Sequence, residues 1–75
     1  MTKLEVLDIG DNRLKKLENM EALVNLSEFY CAKNKLTKIE GLENLTNLYL
    51  IALQANQITN ISGLDTLTSL GELYL

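Results

Sequence analysis

Side chains that could do chemistry are few in this sequence, and their spacing limits what they could do. Histidine, the commonest general base and metal ligand, does not occur. The single cysteine, Cys31, lies 22 residues from both Ile9 and Leu53, in a column that is otherwise aliphatic. A small buried hydrophobe is the reading of that position, since a free cysteine packs readily in a core. Zinc would require clustered Cys and His that the chain does not have. Glu21, Glu43 and Asp65 are also spaced by 22 and would line up one per turn of a repeating fold. A divalent cation could bridge them, but cation loops gather their oxygens within one turn, so the column reads as a solvated acidic ridge. Gly41 and Gly63 share the same spacing and read as equivalent turn residues, not as a phosphate-cradling loop. No catalytic residue, metal site or cofactor is expected.

The same period orders the rest of the chain. Asn12, Asn34 and Asn56 are 22 residues apart, and an apolar ladder surrounds each of them. The first unit reads Leu4-x-x-Leu7-x-Ile9-x-x-Asn12-x-Leu14-x-x-Leu17-x-x-Met20-x-x-Leu23. The second runs from Leu26 through Phe29, Cys31, Asn34, Leu36, Ile39 and Leu42 to Leu45, and the third from Leu48 to Leu67 in the same way. A fourth begins at Leu70-x-x-Leu73-x-Leu75. This is a leucine-rich repeat. Alternation with period two marks a short strand with one buried face, expected at about Val6–Asp8, Glu28–Tyr30, Leu50–Ala52 and Glu72–Tyr74. After each asparagine the apolar spacing becomes three, which suits a 3₁₀ or extended return path better than an α-helix. The fold class is α/β: a solenoid with short parallel strands on its concave face and 3₁₀ or extended segments on its convex face. The asparagines are expected to point inward and bond backbone groups of their own turn and of the adjacent unit.

Residues 1–75 read as one domain: about three full repeats plus the strand of a fourth. Repeat arrays need capping units with a polar outer face, and none is present, so a piece of a longer solenoid is expected. No stretch reads as a signal peptide or a membrane span, and no membrane partner is expected. The net charge of −3 points away from nucleic acid as the main partner. Lys16 and Lys38 form a basic column beside Glu18 and Glu40, with Arg13 and Lys35 nearby. The triplets Asn25-Leu-Ser27, Asn44-Leu-Thr46 and Asn60-Ile-Ser62 are glycosylation sequons. Repeats rich in Asn, Leu, Ser and Thr generate such triplets by chance.

Function should lie on the outward positions of the strands: Val6 and Asp8, Glu28 and Tyr30, Leu50 and Ala52, Glu72 and Tyr74. An aromatic and apolar patch rimmed by carboxylates suits protein recognition. Tyrosine offers a large rigid contact with a polar tip, and the carboxylates favour Lys or Arg on a partner. The candidate partner-binding residues are Asp8, Glu28, Tyr30, Leu50, Glu72 and Tyr74.

The pattern Leu-x-Leu-x-x-Asn-x-Ile-x-x-Ile-x-x-Leu-x-x-Leu resembles the 22-residue repeat class typified by the nuclear leucine-rich regulatory subunit of protein phosphatase 1. The stretches Leu4-Glu-Val-Leu-Asp-Ile-Gly-Asp-Asn-Arg-Leu-Lys-Lys-Leu-Glu-Asn-Met20 and Leu36-Thr-Lys-Ile-Glu-Gly-Leu-Glu-Asn-Leu45 carry the similarity. The resemblance implies a non-enzymatic regulatory subunit, nuclear and cytoplasmic, that binds the phosphatase 1 catalytic subunit through acidic and aromatic concave residues. Asp8, Glu28, Tyr30, Glu72 and Tyr74 match that character, whereas Leu50 and Ala52 depart from it. Bacterial internalins share the period, and Asn44-Leu-Thr-Asn-Leu48 and Asn56-Gln-Ile-Thr-Asn-Ile61 would suit one. That alternative implies a cell-surface adhesion protein, although internalin return segments usually carry proline and this chain has none. An intracellular scaffold of ciliary or spliceosomal type is a third reading.

Overall fold

The computed structural model describes residues 3–75; Met1 and Thr2, the first residues of the expected domain, lie outside the described residues. Four three-residue strands occur where the alternation places them: β1 Val6–Asp8, β2 Glu28–Tyr30, β3 Leu50–Ala52 and β4 Glu72–Tyr74. They form one parallel sheet in the order β1-β2-β3-β4. Each strand pairs with the residue 22 positions on, so Leu7, Phe29, Ile51 and Leu73 share one inward row. The pairing continues past the strand ends. Ile9, Cys31 and Leu53 donate their N–H groups to the carbonyls of Tyr30, Ala52 and Tyr74, each at 2.8 Å.

The return path is built from separate turns. Leu23 and Leu26 donate to the carbonyls three residues earlier, as do Leu45 and Leu48, and Leu67 and Leu70. A three-residue spacing puts every leucine of this path on the inner side. Among the described residues no helix forms, so the convex side takes the turn-and-extended form of the expected alternatives. The core is deepest between the second and third units, where Leu26, Phe29, Cys31, Leu36, Leu42, Leu45, Leu48 and Ile51 are wholly inaccessible to solvent. Leu7, Ile9, Ile58 and Leu73 are only partly covered.

Two of the asparagines stitch neighbouring units together. Asn34 donates from Nδ2 to Cys31 O and Ile9 O, both at 3.2 Å, and accepts the Leu14 N–H at 3.1 Å through Oδ1. Asn56 repeats the arrangement, donating to Leu53 O (3.0 Å) and Cys31 O (2.9 Å) and accepting from Leu36 N–H (3.0 Å). One carboxamide thereby satisfies backbone groups of two units at a bend that is buried at Asn34 and partly buried at Asn56. Asn12 departs from the inward expectation. It is exposed and donates only to Ile9 O (2.7 Å) and Gly10 O (3.2 Å) of its own turn. No earlier unit within the described residues offers it a carbonyl.

Stacking also dictates the corners. Asp11, Lys33 and Ala55, again 22 apart, adopt φ of 60°, 60° and 58°. Left-handed backbone costs an L-residue roughly 1–2 kcal/mol. Gly41 and Gly63 occupy a second left-handed corner, at φ 79° and 76°. There a Cβ at Gly63 would stand 2.8 Å from Ile39 O of the unit beneath.

Asn34→Ala should lower the unfolding free energy by roughly 2–4 kcal/mol, because it strands buried donors and acceptors. Asn12→Ala should cost under about 1 kcal/mol by the same reasoning, since water replaces its partners. Urea denaturation of both variants checks the ranking, and equal losses would refute the bridging role. Gly63→Ala should cost more than about 1 kcal/mol. Gly71→Ala, whose Cβ would find its nearest neighbour 3.9 Å away at Tyr49 O, should be close to neutral in the same assay.

Candidate functional site: the concave sheet

Because side chains alternate across a strand, the first and third residues of each strand face away from the core. In parallel register they make two rows. One runs Val6, Glu28, Leu50, Glu72, and the other Asp8, Tyr30, Ala52, Tyr74. Five of the six sequence-predicted residues, Glu28, Tyr30, Leu50, Glu72 and Tyr74, therefore share one continuous face over β2, β3 and β4. Asp8 lies beside Tyr30 in register, but its Oδ1 accepts the Gly10 N–H at 3.0 Å, so it also shapes its own turn.

In β2 and in β4 the tyrosine reaches back to the glutamate two residues earlier. Tyr30 Oη donates to Glu28 Oε1 at 2.6 Å, and Tyr74 Oη donates to Glu72 Oε1. These are hydrogen bonds to an ionised acceptor, the stronger kind. A third phenol joins them: Tyr49 Oη donates to Glu28 Oε2 at 3.3 Å. Tyr49 was not among the residues picked out from sequence. It precedes β3, at a position held by Glu5, Ser27 and Gly71 in the other units. A lone aromatic in an otherwise small or polar column was the available signal. Tyr49 restores aromatic character to the third unit, where Leu50 and Ala52 depart from it.

Ala52 differs from the expected open floor. It is 6% exposed, lying between Tyr30 and Tyr74 in register. Leu50 is half-buried, while Val6 and Tyr74 are well exposed. No Lys or Arg occurs in either row. The basic residues sit elsewhere, with Lys16 3.8 Å from Glu18 and Lys38 3.6 Å from Glu40. Exposed pairs of this kind contribute little. The ridge residue Glu43 accepts the Gly41 N–H at 2.8 Å, a role in the turn.

The carboxylates hold the phenols in their neutral form. The hydrogen bond to Glu28 is the main cause that pushes the Tyr30 pKa up to about 12, followed by desolvation and by the charge of Glu28. The charge of Glu28 raises Tyr49 most, and the hydrogen bond to Glu72 raises Tyr74 most. Burial raises the Cys31 thiol, which keeps it protonated and inert.

Absorbance titration of the phenols should show Tyr30 ionising near 12, with Glu28→Gln lowering Tyr30 and Tyr49 but not Tyr74. The folded state holds these protons more tightly than the unfolded chain, whose tyrosines titrate near about 10. Their contribution to stability is therefore complete below that pH and is lost as pH rises through the folded value. Three tyrosines titrating together at the ordinary value would refute the network.

Residues 2–44 and 24–65 match the family described as leucine rich repeats (2 copies). Among solved structures, the chain is similar to internalin C2 from Listeria monocytogenes, at 33% identity and a TM-score of 0.87, over 96% of this chain and 32% of that one. It is also similar to internalin F from the same organism, at 31% identity and a TM-score of 0.80, over 96% of this chain and 22% of that one. The chain thus spans less than a third of the length of either internalin. No match is found among curated proteins. Repeats of this family typically serve as protein-interaction modules. Period, stacked parallel strands and the matched profile agree, and the chain belongs to the leucine-rich repeat family.

Proposed function

We propose that this chain docks a protein partner on its concave sheet through Asp8, Glu28, Tyr30, Leu50, Glu72 and Tyr74, with Tyr49 added. We further propose that the partner is the catalytic subunit of protein phosphatase 1, bound in the nucleus and cytoplasm. The observation that carries the docking reading is the acidic and aromatic face over β2–β4, where Tyr30 and Tyr49 bond Glu28, Tyr74 bonds Glu72, and neither row holds Lys or Arg. Its rings are already oriented by hydrogen bonds, so less side-chain freedom is lost when a partner binds. Its charge favours a basic counter-surface. The phosphatase reading is supported by the similarity of Leu4–Met20 and Leu36–Leu45 to the regulatory subunit's repeats.

A second reading, a cell-surface adhesion protein, is favoured by the similarity to the two Listeria internalins. The two readings share the concave face and differ in the partner.

Calorimetric titration with purified phosphatase 1 catalytic subunit separates them. The wild-type chain should bind, and Glu28→Ala/Tyr30→Ala should weaken binding by about thirtyfold or more, the loss typical of an interface hot spot. Absence of binding by the wild type would sink the phosphatase reading and leave the adhesion reading in place. Undiminished binding by the double variant would place the contact away from the concave sheet.

A further inference from the structure

Positive charge is gathered on one flank. Six of the seven Lys and Arg residues fall between Arg13 and Lys38, on the stretches that leave β1 and β2. In the first unit Arg13 and Lys15 are exposed on either side of the half-buried Leu14. In the second, Lys33 and Lys35 are exposed on either side of the buried Asn34. The Lys35 N–H donates to Leu14 O at 2.8 Å, which sets Arg13 and Lys35 side by side on neighbouring units, ~4.8 Å apart along the stack. Like charges so placed repel. The fold does not require them, because Gln57 holds the same position in the third unit and makes the same bond, to Leu36 O at 2.8 Å. Lys16 and Lys38 are each paired with a glutamate of their own unit, and Lys33 has Asp11 in its column. Among the described residues no carboxylate forms an ion pair with Arg13, Lys15 or Lys35.

We propose that Arg13, Lys15 and Lys35 form a second docking surface, which receives a short acidic segment of a protein, extended and with a carboxylate on alternate residues. Alternate side chains of an extended chain recur on one side every ~6.4–6.8 Å, which is also the interval from Arg13 to Lys15 across an extended Leu14. Arginine grips a carboxylate through two N–H groups, and the two lysines add mobile point charges. Charge elsewhere selects a protein over other polyanions. A nucleic acid or an anionic lipid surface is negative throughout and would be pressed towards Asp8, Glu28 and Glu72 on the concave rows. A protein segment can confine its carboxylates to the flank. This surface is separate from the concave one, and its occupation needs no phosphatase.

The test titrates acetyl-Gly-Glu-Gly-Glu-Gly-amide and its glutamine counterpart into the chain, followed by amide NMR. The glutamate peptide should shift Arg13, Lys15 and Lys35, less as salt rises, and the glutamine peptide should leave them in place. Arg13→Gln/Lys35→Gln copies the third unit's Gln57 and should weaken the glutamate peptide at least about fivefold, in line with the loss of two exposed charge contacts. Lys16→Gln/Lys38→Gln removes the same net charge and should weaken it less than about twofold, since those lysines are already paired. Equal losses in the two variants would reduce the effect to net charge and overturn the proposal, as would shifts centred on Lys16 and Lys38 or no shifts. Inorganic phosphate, a thymidine oligonucleotide or phosphatidylserine vesicles binding these residues more tightly than the peptide would overturn the protein segment as the occupant. Both variants keep the folded amide dispersion, because the side chains they alter are exposed.

Discussion

Backbone polarity at the bend after each strand is the constraint on which the structure depends. A chain that turns inward every 22 residues buries N–H and C=O groups that no helix satisfies. The carboxamides of Asn34 and Asn56 meet this need by reaching the unit beneath, with the oxygen on one backbone N–H and the nitrogen on two carbonyls. Among the described residues no buried side-chain nitrogen or oxygen is left without a partner. The vertical spacing that results sets the register of the parallel strands. That register in turn lines up both the inward leucines and the outward tyrosine–glutamate pairs. The proposed docking face is thus a by-product of how the bends are satisfied.

Strands of three residues would be too short to hold a surface rigid by themselves. Here they succeed because β2 and β3 are flanked on both sides and the sheet is backed by a core in which Phe29 and Ile51 have no solvent contact. The phenol–carboxylate bonds add a second level of order above the sheet. They connect residues within a strand at β2 and β4, and Tyr49 connects the third unit to Glu28 of the second. The surface therefore has an internal framework that is polar while the layer below it is apolar, and the two are fixed by different forces.

Much of this is legible in the residues. A switch of apolar period from two to three marks where strand gives way to return path, and β1 to β4 fall on the stretches it marks. The left-handed corner at Asp11, Lys33 and Ala55 is not legible, because the three residues share no chemistry and only the stacking imposes their φ. Asn12 reads the same as Asn34, but among the described residues no earlier unit offers it a carbonyl, so an identical residue bonds only its own turn. Tyr49 escapes notice because its column otherwise holds Glu5, Ser27 and Gly71, and only the fold carries its ring toward Glu28. The nature of the partner is least legible. The proposed contact rests on the outward rows, and the chain's own packing places few demands on them.

Separation of the two faces of each strand has an evolutionary corollary. Inward positions are tied to their neighbours above and below, whereas each unit contributes just two outward residues to the rows. If the concave face docks a partner as proposed, recognition is written as a string of two-letter words, one per unit, on a page whose layout never changes. Duplicating, deleting or exchanging a whole 22-residue unit edits that string while leaving the grammar of the core intact. New specificities can therefore arise by recombination between units, with no need to reinvent the scaffold.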